Sequence, residues 1–187
     1  FEEIRIPLFI PGSRERILSH SPSGKVPCLI DHGFTVWDSL AIGEYLAEKN
    51  PALLPADPAA RAIARAVTAE MHAGFQNLRS RMPMNVRKDY TGFGHSPEVD
   101  ADIARIIAIW NDCRARFGAE GPYLFGRFSL ADAAFAPVAF RFQTYGVKPE
   151  GAAGEYLATL LANPHMQEWT VAARAETESI VEEDLYG

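Results

Sequence analysis

Two dipeptides on neighbouring segments, Val26-Pro27 and Asp38-Ser39, carry the chemistry that the sequence spells out. Pro27 stands at the head of the apolar run Cys28-Leu29-Ile30. It removes a ladder donor there, so it belongs at a strand start, an edge or a cis turn. Held cis, the Val26–Pro27 bond would turn the Val26 N–H and C=O outward, free to pair with an extended peptide. Asp38-Ser39 sits where an N-cap belongs, ahead of Leu40, Ile42, Tyr45 and Leu46 at helical spacing. Free amides, the positive end of the helix dipole and the Ser39 hydroxyl together make an anion site, and a carboxylate is its natural ligand. A backbone slot beside a carboxylate clamp is a receptor for a small peptide with a free α-carboxylate.

The elements that must position these residues are short. Gly24-Lys25 gives a turn signal, and Val26-Pro27 opens the first strand. Asp31-His32-Gly33 is a polar, glycine-containing connection between two β-prone runs, which predicts a hairpin. Phe34-Thr35-Val36-Trp37 is the return strand, and the helix begins at Asp38-Ser39.

Gly24-Lys25-Val26-Pro27, followed by Trp37-Asp38-Ser39-Leu40-Ala41-Ile42 and Tyr45-Leu46, resembles the glutathione site of the glutathione S-transferase family. The resemblance implies a cis Val26–Pro27 bond whose backbone pairs with the cysteinyl unit of glutathione. It implies that Asp38 and Ser39 hold the γ-glutamyl end. Lys25 could meet the glycyl carboxylate or stand as a solvated turn lysine. The implied fold is α/β followed by all-α: a thioredoxin-like N-terminal domain over residues 1–50, incomplete here, a linker over 51–58, and an all-helical C-terminal domain over 59–187.

Composition is consistent with this. The chain has 187 residues, 48% hydrophobic and 22% charged, which is ample for a core. A net charge of −6 and no basic run longer than Arg87-Lys88 argue against a nucleic-acid partner. No apolar stretch approaches the roughly 18 residues of a membrane span. Cys28 and Cys113 lie far apart with no CxxC or metal spacing, so neither a disulfide scaffold nor a metal site is expected. A reducing cytoplasm is the simplest setting.

Phe1 to Phe9 alternates charged and apolar residues and predicts a half-buried strand, with Ser13 capping a short helical turn through Arg16, Ile17 and Leu18. After the proline-rich segment from Asn50 to Pro58, Ile63, Val67, Met71, Phe75, Leu78 and Met82 form one apolar stripe, predicting a single helix over 59–82 that Pro83 ends. Pro97 opens a second long helix with Ile103, Ile106, Ile107, Trp110, Cys113 and Phe117 on its buried face. Ser129 and Asp132 form a capping box for a nearly all-apolar helix to about Phe142, in which Pro137 predicts a kink or break. Asn163-Pro164 caps a last helix.

In this family the residue that stabilises the glutathione thiolate is a Tyr, Ser or Cys at the end of the first strand or the start of the first helix. The resemblance places Phe1 at the second strand, so about 30–40 residues are expected to precede it. No catalytic residue is assigned among the 187. Cys28, following the proline on a core strand, reads as a small buried hydrophobe. His20 and Ser21 read as solvated. For a co-substrate pocket the candidates are Met71, His72, Phe75 and Arg79, on the helix that in this family borders both the dimer interface and that pocket. The reading is a cytoplasmic, homodimeric glutathione transferase acting on a small electrophile, with glutathione as co-substrate, no metal, no nucleic acid and no membrane. A glutathione-dependent thiol transferase or reductase, or a non-catalytic adaptor, are the alternatives.

Overall fold

The computed structural model describes residues 1–180 and 184–186, and its backbone divides into two compact units, Phe1–Pro51 and Ala52–Gly187. The first unit contains helix α1 (Ser13–Leu18), strands β1 (Leu29–Asp31) and β2 (Phe34–Val36), and helix α2 (Ser39–Lys49). Leu29 pairs with Val36, Ile30 with Thr35 and Asp31 with Phe34 in an antiparallel ladder. His32 and Gly33 turn the chain with φ of 48° and 82°. Two successive positive φ values match the right-handed twist of the flanking strands, and this is the demand a two-residue hairpin loop places on its sequence.

The expected strand over Phe1–Phe9 does not form. Among the described residues β1 pairs with β2 alone, and alternation of side chains does not make a strand without a ladder partner. Ile4 and Phe9 stand exposed. The backbone here is held from α1 instead: the Ser13 hydroxyl accepts from the Ile10 N–H at 3.2 Å and lies 2.8 Å from the Pro7 carbonyl. Ser13 is therefore tied to the segment before it. The helix-capping position falls to Gly12, in the left-handed region at φ 84°.

The second unit is helical: α3 (Pro58–Ala73), α4 (Gln76–Arg81), α5 (Pro97–Phe117), α6 (Leu130–Tyr145), α7 (Gly151–Leu161) and α8 (Pro164–Ala175). The single helix predicted over 59–82 is two. Gly74 is extended and Phe75 is left-handed at φ 57°. Asp102 of α5 then accepts the Leu78 N–H at 3.0 Å, replacing the intrahelical partner that the break removes. Phe75, Leu78 and Met82 are all buried on either side of the break. Apolar spacing reports which positions face the core, and it stays regular while the backbone does not.

Pro137 neither breaks nor ends α6, which runs continuously from Leu130 to Tyr145. The capping box at its start is formed: the Ser129 N–H donates to Asp132 Oδ2 at 2.8 Å. Asp132 is fully buried and also accepts the Leu124 N–H at 3.1 Å. α7 had no counterpart in the sequence reading. Its segment GAAGEYLATLL is weakly patterned, and its first turn is satisfied from outside, by Asn111 Oδ1 accepting the Ala153 N–H at 3.1 Å. Trp110 occupies the middle of the core, its ring 5.8, 5.3 and 5.0 Å from those of Phe135, Phe142 and Tyr156. No helix among the described residues is long and apolar enough to cross a membrane.

Candidate functional site

The approach to Val26 is built by the Ser21–Gly24 turn. The Gly24 N–H donates to the Ser21 carbonyl at 3.0 Å with Gly24 at φ 66°. The Ser21 and Ser23 hydroxyls meet at 3.0 Å, and the Lys25 N–H donates to Ser23 Oγ at 3.2 Å. Ser21, expected to be solvated, is 1% exposed. It packs beneath the turn because its hydroxyl finds a partner there. Ser23 is a positioning residue that the motif reading missed, although a serine two residues before a fixed backbone N–H is an ST-turn signal.

The Val26–Pro27 peptide is cis, as is Trp37–Asp38. Val26 is half exposed, and among the described residues its N–H and C=O take part in no hydrogen bond. Cys28 is half-buried, with Sγ 3.4 Å from the His20 carbonyl. The expected full burial fails because two short strands cover too little of it.

Asp38 is the N-cap of α2, its carboxylate accepting the Leu40 N–H at 3.0 Å and its carbonyl accepting the Ile42 N–H at 2.9 Å. The N–H groups of Ser39 and Ala41 and the Ser39 hydroxyl have no partner among the described residues. The Asp38 carboxylate at the N-cap meets the positive end of the dipole and satisfies one amide of the first turn, leaving those of Ser39 and Ala41 open. Free amides and a hydroxyl at the start of an eleven-residue helix are groups that can donate to a carboxylate.

The hairpin register brings the two halves together. The ladder ends with Leu29 paired to Val36, so Val26–Cys28 leads into it on one strand and Trp37–Ser39 leads out of it on the other. The unpaired Val26 backbone and the start of α2 therefore lie on the two segments that leave the open end of the hairpin. Lys25 precedes Val26 in the chain and is exposed.

The other candidates lie at the α3–α4 corner of the second unit. Phe75 is buried in the core, Met71 packs against it, His72 is half-buried and Arg79 is exposed. Arg79 Nη1 donates to the His72 carbonyl at 3.0 Å and so closes the corner. The corner replaces the single helix predicted to carry Met71, His72, Phe75 and Arg79 together. Cys113 is buried on α5, and that burial pushes its thiol up to about 12.

Residues 1–49 match the family model for the glutathione S-transferase N-terminal domain, and residues 93–171 match that for the glutathione S-transferase C-terminal domain. Over 97 residues, half of this chain, the sequence is 34% identical to the "Probable maleylacetoacetate isomerase" of Caenorhabditis elegans. Over 158 residues, 79% of this chain, it is 27% identical to the "Stringent starvation protein A homolog" of Pasteurella multocida. The chain spans 45% of the length of the first and 66% of the second. Among solved structures it is similar to the theta class glutathione S-transferase of Xanthomonas axonopodis pv. citri with glutathione bound. That likeness has a TM-score of 0.62 at 25% identity, covering 87% of this chain and 80% of that one. The fold is a thioredoxin-like domain followed by a helical C-terminal domain.

Proposed function

The chain belongs to the glutathione S-transferase family, and we propose that it binds reduced glutathione along the open end of its hairpin and delivers the thiolate to a small electrophile. The observation that carries this is that the Val26 backbone, on one segment leaving the hairpin's open end, and the Ser39 and Ala41 amides and Ser39 hydroxyl, on the other, have no hydrogen-bond partner among the described residues. An extended tripeptide offers complementary groups. Its cysteinyl N–H and C=O pair with Val26 beside Pro27, and its γ-glutamyl carboxylate takes the Ser39 hydroxyl and the Ser39 and Ala41 amides. Asp38 supplies countercharge to the γ-glutamyl ammonium, and Lys25 meets the glycyl carboxylate. The glutathione bound in a similar solved structure supports the ligand.

This reading assigns ligand binding to the chain's residues and leaves thiol activation unassigned among them. For the electrophile, Met71, His72 and Arg79 are the proposed contacts, while Phe75 contributes packing. Isomerisation by reversible thiolate addition would use the same ligand site, and the similarity to the worm protein favours keeping it within the reading. A homodimer in the cytoplasm is part of the proposal. A non-catalytic adaptor is the second reading, favoured by the similarity to the P. multocida protein.

Calorimetric titration with reduced glutathione tests the assignment. Saturable binding of one ligand per chain is expected, weakened about tenfold in Ser39→Ala by loss of a charge-assisted hydrogen bond. Unchanged affinity in the double variant Asp38→Ala/Ser39→Ala would refute the site.

A further inference from the structure

The open end of the hairpin holds the candidate ligand groups, and its closed end is fastened by a polar cluster that plays no part in them. Asp31, the last residue of β1, accepts the Tyr45 hydroxyl at 2.8 Å on Oδ2, and the same oxygen pairs with Lys49 Nζ. Tyr45 and Lys49 are one turn apart on α2 and therefore share a face. Lys49 Nζ also lies 4.4 Å from the centroid of the Tyr45 ring, and the Phe34 ring, across the ladder from Asp31, is 6.1 Å from that ring. His32 Nε2 stands 3.6 Å from Asp31 Oδ1. The carboxylate at the hairpin tip thus gathers the far end of α2.

Lengths explain why these residues meet. From Ser39 to Lys49 a helix advances about 15 Å, and from Val26 to Asp31 an extended chain advances about 16 Å. α2 runs back along the hairpin and ends level with its turn. A rod pivoting at Ser39 and held only there could swing, and any swing would re-aim the first-turn amides. Holding its far end removes that freedom.

We propose that Asp31 is a positioning residue for the ligand site: by gripping Tyr45 and Lys49 it fixes the axis of α2, and so the aim of the Ser39 and Ala41 amides and the Ser39 hydroxyl toward a ligand lying on Val26. This rests on the glutathione-binding reading above. Asp31 touches no ligand; it acts through α2. A residue that merely stabilised the unit would lower the melting temperature and leave the affinity of the folded protein unchanged, whereas a positioning residue lowers the affinity itself.

The test is calorimetric titration of the full chain with reduced glutathione, well below each variant's melting temperature, for wild type, Asp31→Asn, Tyr45→Phe, Lys49→Ala, Lys49→Arg and, as reference, Ser39→Ala. Asp31→Asn and Lys49→Ala are expected to bind about two- to fivefold more weakly, the upper part of the range for a partly exposed ion pair. Tyr45→Phe, which deletes one hydroxyl and keeps the ring, is expected to lose about twofold and remains informative if Asp31→Asn does not fold. Lys49→Arg should restore near wild-type affinity. Wild-type affinity in Asp31→Asn and Lys49→Ala, with Ser39→Ala weakened, would overturn the positioning role and leave the ligand site standing. Failure of Lys49→Arg to rescue would also overturn it. No binding by the wild-type chain would overturn the ligand site and the positioning role together.

Discussion

Cys28 and Cys113 show how far a residue's neighbours change it. Burial pushes the Cys113 thiol up to about 12, while Cys28 stands half-exposed on the hairpin. Since the thiolate is the nucleophile, an aromatic disulfide reagent is expected to label one thiol per native chain, identified by peptide mapping as Cys28, and both after unfolding. Fast native labelling of Cys113 would contradict the buried site. Tyr90 gives a pH prediction. Its hydroxyl donates to Asp184 at 2.5 Å, and that bond, reinforced by burial, raises it to about 12 from an ordinary 10. The folded chain then keeps a proton that the unfolded chain has released, so stability is fully present below pH 10 and falls as pH rises toward 12. Chemical denaturation across that range should show a shallower loss in Tyr90→Phe. At this scale Val26, Pro27, Asp38 and Ser39 were legible, because each has a backbone consequence that its residue type dictates. Asp31 was not, because its partners lie 14 and 18 residues on and no local spacing links them. Ser21 misled for a different reason: its hydroxyl partner is local, at Ser23, but its residue type does not encode burial under the turn.

Among elements, those announced by their own caps were legible. Ser129 and Asp132 mark the start of α6 and do what the box requires. Removing the carboxylate in Asp132→Ala leaves the Leu124 and Ser129 amides unpaired inside the protein, and the expected cost is about 2–4 kcal/mol in urea unfolding. A loss under about half a kcal/mol would show that the buried carboxylate does not hold these amides. Elements finished by distant residues were illegible. The α3–α4 break depends on Asp102, and the start of α7 on Asn111, each contributed by α5. The expected strand at Phe1–Phe9 failed through the lack of a ladder partner among the described residues, a condition that side-chain alternation does not encode.

For the molecule as a whole, the sequence divides by kind of pattern. The first unit is read from turn and cap chemistry, the second from helical periodicity, and the two family matches fall on the same two stretches. What the proposed ligand site needs lies within the first unit: a Val26–Pro27 segment with an unpaired backbone, a hairpin whose two ends lead from it to α2, and a helix start whose Ser39 and Ala41 amides have no partner among the described residues. The central claim is that these three features bind one molecule of glutathione. The most direct measurement is a titration of isotope-labelled protein with reduced glutathione, followed through its backbone amide resonances. The largest shifts are predicted at Val26, Ser39, Leu40 and Ala41, saturating together, with the α5 and α8 amides unmoved. Saturable shifts elsewhere with these four unmoved, or no shifts at millimolar ligand, would contradict the account.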